Sequence, residues 1–254
     1  MLRTGADISG AIDRVRAYLT ALGLEKQIKI AFDEWNLRGW WHPNLMNTGE
    51  RSKLRNEDEA FYRNSVIAER DKNDINSVYT MADAVFSASF LNTCLRNCDL
   101  VRMACFSPVV NTRGAIFTHE NGVVLRPQYF VFELYANLLK ETVLDVWKED
   151  VPTRSGCIWD DVKTVDTADI VITYDGKTYA AAAVNKDPEN EQPLELCFTE
   201  NAPREMRMHT LNGPSPDAYN DIGRTEVGIA VREWEPFTGR VALPPHSVNV
   251  IELR

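Results

Sequence analysis

Residues 33–36, Asp-Glu-Trp-Asn, set two acids, an indole and an amide in consecutive positions. A carboxylate can act as nucleophile or proton donor at a sugar's anomeric carbon, a ring can stack on a sugar face, and an amide can bond a hydroxyl. The same residues also suit a plainer purpose, since Asp-Glu after a strand can simply open a loop or cap a helix. Their setting favours chemistry. Ile28, Ile30 and Phe32 read as a buried strand, so Asp33 and Glu34 fall at its C-terminal end, the edge where parallel α/β folds present catalytic groups.

Other side chains nearby carry two readings each. Trp35, Trp40 and Trp41 either line a sugar cleft or pack in the core. Asn36 either bonds a hydroxyl or fixes the loop. His42, beside Pro43, reads as a cleft-wall or surface residue, because a lone His offers no coordination set. Arg113 either bonds a substrate oxygen or pairs with a local acid.

The elements that must position these groups follow from periodicity. Ile8, Ile12, Val15, Leu19 and Leu22 recur at helical spacing and Gly23 marks a stop. The strand ending at Glu34 comes next, then a long polar connection over 37–79 of a length that is usually functional or disordered. Thr80 opens a capping-box-like start with Asp83 in the acidic position, and Met81, Ala84, Val85, Ala88, Leu91 and Leu95 give a second amphipathic helix. Leu100 to Phe106 reads as a second buried strand, and Gln128 to Leu139 as a third helix. After about Trp147 helical periodicity ends. Ile170, Ile172 and Tyr174 alternate, Asp175-Gly176 signals a hairpin, and Tyr179–Val184, Leu194–Phe198, Val227–Val231 and Val248–Leu253 follow as strands. This half reads as an antiparallel β-sandwich.

The chain of 254 residues carries 37 acids against 28 Lys plus Arg, a formal charge of -9. That balance argues against a nucleic-acid binder. Five cysteines show no zinc-type pairing and read as free thiols in a reducing compartment. No apolar run approaches the roughly 20 residues that span a bilayer, and the first residues lack the apolar core of a signal peptide. The expectation is a cytoplasmic protein with no nucleic-acid or membrane partner.

The order and spacing of several segments resemble glycoside hydrolase family 51, the α-L-arabinofuranosidases. They are Phe32-Asp33-Glu34-Trp35-Asn36, Tyr79-Thr80-Met81-Ala82-Asp83-Ala84, Met103-Ala104 through Val109-Val110-Asn111, Phe132-Glu133-Leu134-Tyr135, and Leu243-Pro244-Pro245-His246-Ser247-Val248. The resemblance implies residues 1–146 as the C-terminal part of a (β/α)8 barrel, with 28–34 as strand seven and 100–106 as strand eight, followed by a β-sandwich over 147–254. It gives Glu34 the role of nucleophile in a retaining mechanism and makes Trp35, Asn36, Trp41 and Asn111 pocket candidates. It implies no metal or organic cofactor, and a substrate among arabinose-containing oligosaccharides or polysaccharides. Asp33 would oppose ionisation of Glu34, but alternation along a strand sends adjacent side chains to opposite faces.

Two departures stand out. A retaining glycosidase needs a second carboxyl about 5 Å from the nucleophile, and in this family it follows an Asn at the end of strand four, which would precede Met1. Asn56-Glu57 and Asn190-Glu191 lack that strand context. Where many members carry a Gln near the end of strand eight, this chain has Ser107-Pro108. Two strands cannot close a barrel, so the expectation is exposed apolar surface, and either aggregation or an upstream barrel part that covers it; the resemblance also implies a homo-oligomer for the full-length version. The alternative is a non-catalytic fragment, or a module that binds carbohydrate or a partner.

Overall fold

A computed structural model describes residues 4–36, 79–111, 114–158 and 161–254. Helix α1 (Thr4–Ala21) ends in a Schellman turn: Leu24 N–H donates to Leu19 C=O, Gly23 N–H donates to Thr20 C=O, and Gly23 takes φ +67°. Only part of its apolar stripe is covered. Ile12 and Leu19 are buried, while Val15, Tyr18 and Leu22 face outward.

Strands β1 (Ile30–Trp35) and β2 (Val101–Phe106) form a two-stranded parallel sheet, joined through α2 (Met81–Arg96). The expectation of two buried strands is half right. Phe32, Trp35, Val101, Ala104 and Phe106 face α1 and α2, but nothing among the described residues covers the other side, so Ala31, Met103 and Cys105 are exposed. Ile28 lies before β1 and is 47% exposed.

Helix α2 is buried on two sides, where its sequence suggests one apolar stripe. Met81, Ala84, Val85 and Ala88 pack on the antiparallel sheet, and Phe90 and Cys94 pack on β1, β2 and α1. Three of its buried polar residues are held by hydrogen bonds, two within the helix and one across to the sheet and a later helix. Ser89 donates to Val85 C=O, Thr93 donates to Ser89 C=O, and Asn92 donates to Ala182 C=O while accepting from the Tyr135 hydroxyl at 2.7 Å. At its end Arg96 pairs with buried Asp169 at 2.6 Å, fastening the helix to the sheet.

The β2 strand leads into a hairpin, β3 (Ile116–His119) and β4 (Gly122–Leu125), then α3 (Pro127–Leu138), with Pro127 in the first turn. The chain then forms β5 (Thr142–Leu144), a β6–β7 hairpin (Thr153–Ile158, Asp161–Asp166), β8 (Ala168–Tyr174), β9 (Tyr179–Asn185), β10 (Gln192–Glu195), β11 (Glu205–Asn212), β12 (Gly228–Val231), β13 (Glu235–Pro236), β14 (Arg240–Leu243) and β15 (Val248–Leu253).

Seven of these make one antiparallel sheet in the order β12-β11-β15-β9-β8-β5, with β13 also on β11. Strand β5, which precedes the expected division at 147, already belongs to it. The second layer is small, a β10–β14 ribbon over Ile170, Ile172, Met206, Met208 and Ile251. The opposite face is covered by α2 and α3, so what reads as a sandwich is in part a helix-on-sheet packing. The expected strand at 194–198 is displaced to Gln192–Glu195, and β5, β6, β7, β11, β13 and β14 are additional.

Among the described residues no helix is long and apolar enough to cross a membrane. Cys94, Cys98, Cys105 and Cys197 are free thiols.

Candidate active site

The acidic end of β1 is irregular. Phe32 pairs with Ala104 and Trp35 pairs with Phe106, so Asp33 and Glu34 together stand opposite the single residue Cys105. This is a bulge, two residues against one, of the kind that re-aims side chains beside functional sites. Its effect on the phase of the strand is visible in the packing. Phe32 and Trp35 are an odd number of residues apart and in a regular strand would face opposite ways. Both instead touch Phe90, with ring centroids at 5.2 and 4.2 Å. The simple alternation expected for Asp33 and Glu34 therefore does not hold, and both are exposed. Asp33 Oδ1 accepts the backbone N–H of Glu34 at 3.0 Å, which engages one acid in shaping the turn that carries the other.

Glu34 lines a cavity of about 440 Å³ with Trp35, Asn36, Ile8 of α1, and Phe86 and Phe90 of α2. The volume falls within the range of small-ligand sites. Half of its described lining residues are aromatic, and Glu34 is the single carboxylate among them.

Trp35 takes the packing role of its two readings. Its indole stacks on Phe90 at 21°, meets Phe106 edge-on at 5.1 Å and lies against Phe132 at 5.9 Å. It is 8% exposed, so most of the ring is taken up by the core while it still borders the cavity. Asn36 is held from both ends: its Nδ2 donates to Ser107 C=O at 3.0 Å and its Oδ1 accepts from the Tyr79 hydroxyl at 3.2 Å. These contacts are of the loop-fixing kind.

Asn111 stands apart from the cavity lining. With φ +55° it forms the turn after β2, and its Oδ1 accepts from the Thr118 N–H and hydroxyl at 2.7 and 2.9 Å. Ser107 donates its N–H to Trp35 C=O, and the peptide to Pro108 is cis. Trp40, Trp41, His42, Glu57 and Arg113 lie outside the described residues. Asn190 bonds Asp187 in the β9–β10 turn and the neighbouring Glu191 is exposed, remote in sequence and element from the cavity. Among the described residues no cluster of His, Cys, Asp and Glu is arranged to hold a metal.

Sequence reasoning left four contributors without a role. Phe86 and Phe90 look like ordinary apolar positions of α2. Tyr79, just before the helix cap Thr80, gives no local signal, because its partner Asn36 is 43 residues away. Arg126 is buried at 1% exposure, donates to Gly114 C=O at 2.8 Å and lies over the rings of Tyr79 and Phe117 at 5.2 and 5.3 Å.

Comparison with known proteins gives one consistent picture. The profile of the alpha-L-arabinofuranosidase C-terminal domain matches residues 33–247. A probable alpha-L-arabinofuranosidase C of Aspergillus clavatus is 27% identical over 225 residues, which covers 87% of this chain and 39% of that protein. An intracellular exo-alpha-(1->5)-L-arabinofuranosidase of Streptomyces lividans is 26% identical, over 89% of this chain and 32% of that one. The crystal structure of the Thermotoga maritima alpha-L-arabinofuranosidase shares the fold at a TM-score of 0.75 and 21% identity, covering 99% of this chain and 48% of the other. The chain thus spans about a third to a half of the length of the proteins it matches.

Proposed function

Because the chain belongs to the alpha-L-arabinofuranosidase C-terminal domain family and matches the C-terminal portion of glycoside hydrolase family 51 proteins, we propose that it supplies the nucleophile side of a retaining α-L-arabinofuranosidase. In this reading β1 and β2 are the last two strands, seven and eight, of a (β/α)8 barrel whose other strands come from an upstream part. The assembled enzyme releases terminal α-L-arabinofuranosyl residues from arabinan, arabinoxylan or their oligosaccharides, in the cytoplasm.

The observation that carries the reading is the bulged end of β1, which sets Glu34 on the wall of a cavity at the C-terminal edge of a parallel strand. A carboxylate oxygen of Glu34 attacks the anomeric carbon as the bond to the leaving oxygen breaks, giving an arabinosyl ester. Water then attacks the same carbon, the ester bond breaks, and configuration is retained. The leaving oxygen takes its proton from a second carboxyl that lies outside the described residues lining the cavity. Asn36 holds the turn, and Trp41 is the sugar-stacking candidate.

The open side of β1–β2 supports the need for further strands. Met103 is 46% exposed, and Val109 and Val110, after the end of β2, are 59% and 48% exposed. A second reading, a fragment inert by itself or a carbohydrate- or partner-binding module, is favoured by the single carboxylate among the described residues of the lining.

An activated arabinofuranoside separates the two. A 2,4-dinitrophenyl leaving group departs without protonation, so the first step needs the nucleophile and not the acid. The expected result is dinitrophenolate release with a pentosyl adduct on Glu34 found by peptide mass spectrometry, absent in Glu34→Gln, and turnover restored by azide. Folded protein that gives neither release nor adduct supports the non-catalytic reading.

A further inference from the structure

We infer that Tyr79 is a positioning residue that ties the Glu34-bearing end of β1 to the antiparallel sheet domain. The consequence for catalysis rests on the role proposed for Glu34; the tie itself does not.

The contacts run in one direction across the molecule. Tyr79 is 4% exposed, and its hydroxyl donates to Asn36 Oδ1, two residues beyond Glu34. The other end of the Asn36 amide donates to Ser107 C=O, just past β2, so this side chain holds the two parallel strands and Tyr79 in one arrangement. The backbone after Tyr79 is gripped by the loop joining β11 to β12. Thr80 forms an antiparallel bridge with Tyr219, Met81 N–H donates to Ala218 C=O at 2.8 Å, and Ala82 N–H donates to Pro216 C=O at 2.9 Å. Helix starts leave their first N–H groups without partners inside the helix. Here two of them are satisfied by a loop of the sheet domain instead of by water, which fixes where Tyr79 leaves the helix.

That loop is itself held in place, both from within and by β4. Asn220 is 4% exposed, donates to Leu125 C=O and Val227 C=O, and accepts from the N–H groups of Glu226 and Val227. Gly213 at its base leaves no room for a side chain, since a Cβ would sit 2.8 Å from that of Ala218. The Tyr79 ring is packed beneath the Arg126 guanidinium. Every side-chain hydrogen bond at the two ends of this chain of contacts, Asn220 and Asn36, is thus buried or part-buried.

The test uses the whole chain, labelled with nitrogen-15, and the variants Tyr79→Phe and Asn220→Asp. Phe keeps the ring and its packing and removes only the hydroxyl; Asp keeps the shape of Asn220 and removes its two N–H donors. The side-chain amide resonances of Asn36, identified by their loss in Asn36→Asp, are expected to move and to exchange faster with solvent in both variants. Unchanged Asn36 resonances in Tyr79→Phe overturn the tie. Unchanged resonances in Asn220→Asp overturn its origin in the sheet domain. In the dinitrophenyl assay, Tyr79→Phe is expected to slow adduct formation at saturating substrate on the order of tenfold, with half-saturation little altered. A uniform loss that tracks only the folded fraction would instead mark a purely structural role. Absence of any adduct in the unmodified chain counts against Glu34 as nucleophile and leaves the Asn36 resonances to decide on Tyr79.

Discussion

The indole of Trp35 and the ring of Phe90 lie stacked with centroids 4.2 Å apart, joining the end of β1 to the middle of α2. Phe32 approaches the same ring edge-on. One aromatic side chain of the helix therefore holds both sides of the bulge that carries Asp33 and Glu34. Phe90→Ala removes this support and leaves a cavity beside the site. The expected cost is about 3–5 kcal/mol in equilibrium urea unfolding, with loss of the Glu34 adduct even where the protein stays folded. Phe90→Leu should retain much of the stability but not the stacked geometry.

The pair Arg96–Asp169 gives a second prediction. Asp169 has a side chain only 8% exposed, and Arg96 reaches it from the end of α2 with 33% exposure. Arg96→Ala leaves the carboxylate buried without its cation. We expect a loss of about 2–3 kcal/mol, less than for a fully enclosed pair because Arg96 is partly screened by water. Asp169→Asn in the Arg96→Ala background should recover part of it. Additive losses in the double variant would show that the two do not interact.

Asp83 makes stability depend on pH in an uncommon sense. Burial raises its carboxyl to about 6 from an ordinary 3.8, against the opposing pull of hydrogen bonds from the Thr80 N–H and hydroxyl. The folded state then binds more protons than the unfolded chain between these values. The contribution of Asp83 is fully present below about pH 4 and is lost as pH rises through about 6, a change of about 3 kcal/mol in all. Thermal melts of the parent and Asp83→Asn across pH 4–7 should show the variant gaining relative stability as pH rises. A constant gap would remove Asp83 as the source.

Two glycines should respond to alanine with opposite signs. At Gly114 a Cβ would lie 2.5 Å from Val109 C=O, a backbone atom that cannot swing aside. Gly114→Ala should destabilise by on the order of 2 kcal/mol and disturb the loop after β2. At Gly10, inside α1, the nearest atom is the tip of Arg14 at 3.7 Å. Gly10→Ala should stabilise by about 0.5–1 kcal/mol. Chemical denaturation of the two variants side by side checks both signs.

Legibility from sequence followed the strength of local signals. Strands β8, β9 and β15 declare themselves by alternation or an unbroken apolar run, and the Asp175-Gly176 turn by its chemistry: Asp175 accepts from the N–H groups of Lys177 and Thr178. Gly23 and the Thr80–Asp83 cap fall where expected. Strand β11 stays hidden because its buried apolar positions Met206, Met208 and Leu211 are interleaved with the polar Arg207, His209 and Thr210, and methionine carries little strand preference. The site shows the same division. Glu34 and its neighbours are found by type and position. The bulge that changes their facing, the packing of Trp35 on Phe90 and Phe106, and the contact of Tyr79 with Asn36 depend on pairings between distant segments, which no local pattern encodes.

Strand β9 has a use as a measuring instrument. Ala180, Ala181, Ala182 and Ala183 are all fully enclosed, yet Ala180 and Ala182 pack with α2 and α3 while Ala181 and Ala183 pack with the β10–β14 ribbon. A single enlarged residue here presses on one neighbour or the other according to whether its number is even or odd. Even-numbered substitutions report on how firmly the helical half is seated, and odd-numbered ones on the cohesion of the all-β half. Four adjacent positions can thus interrogate separately the two halves of a molecule that would otherwise melt as one.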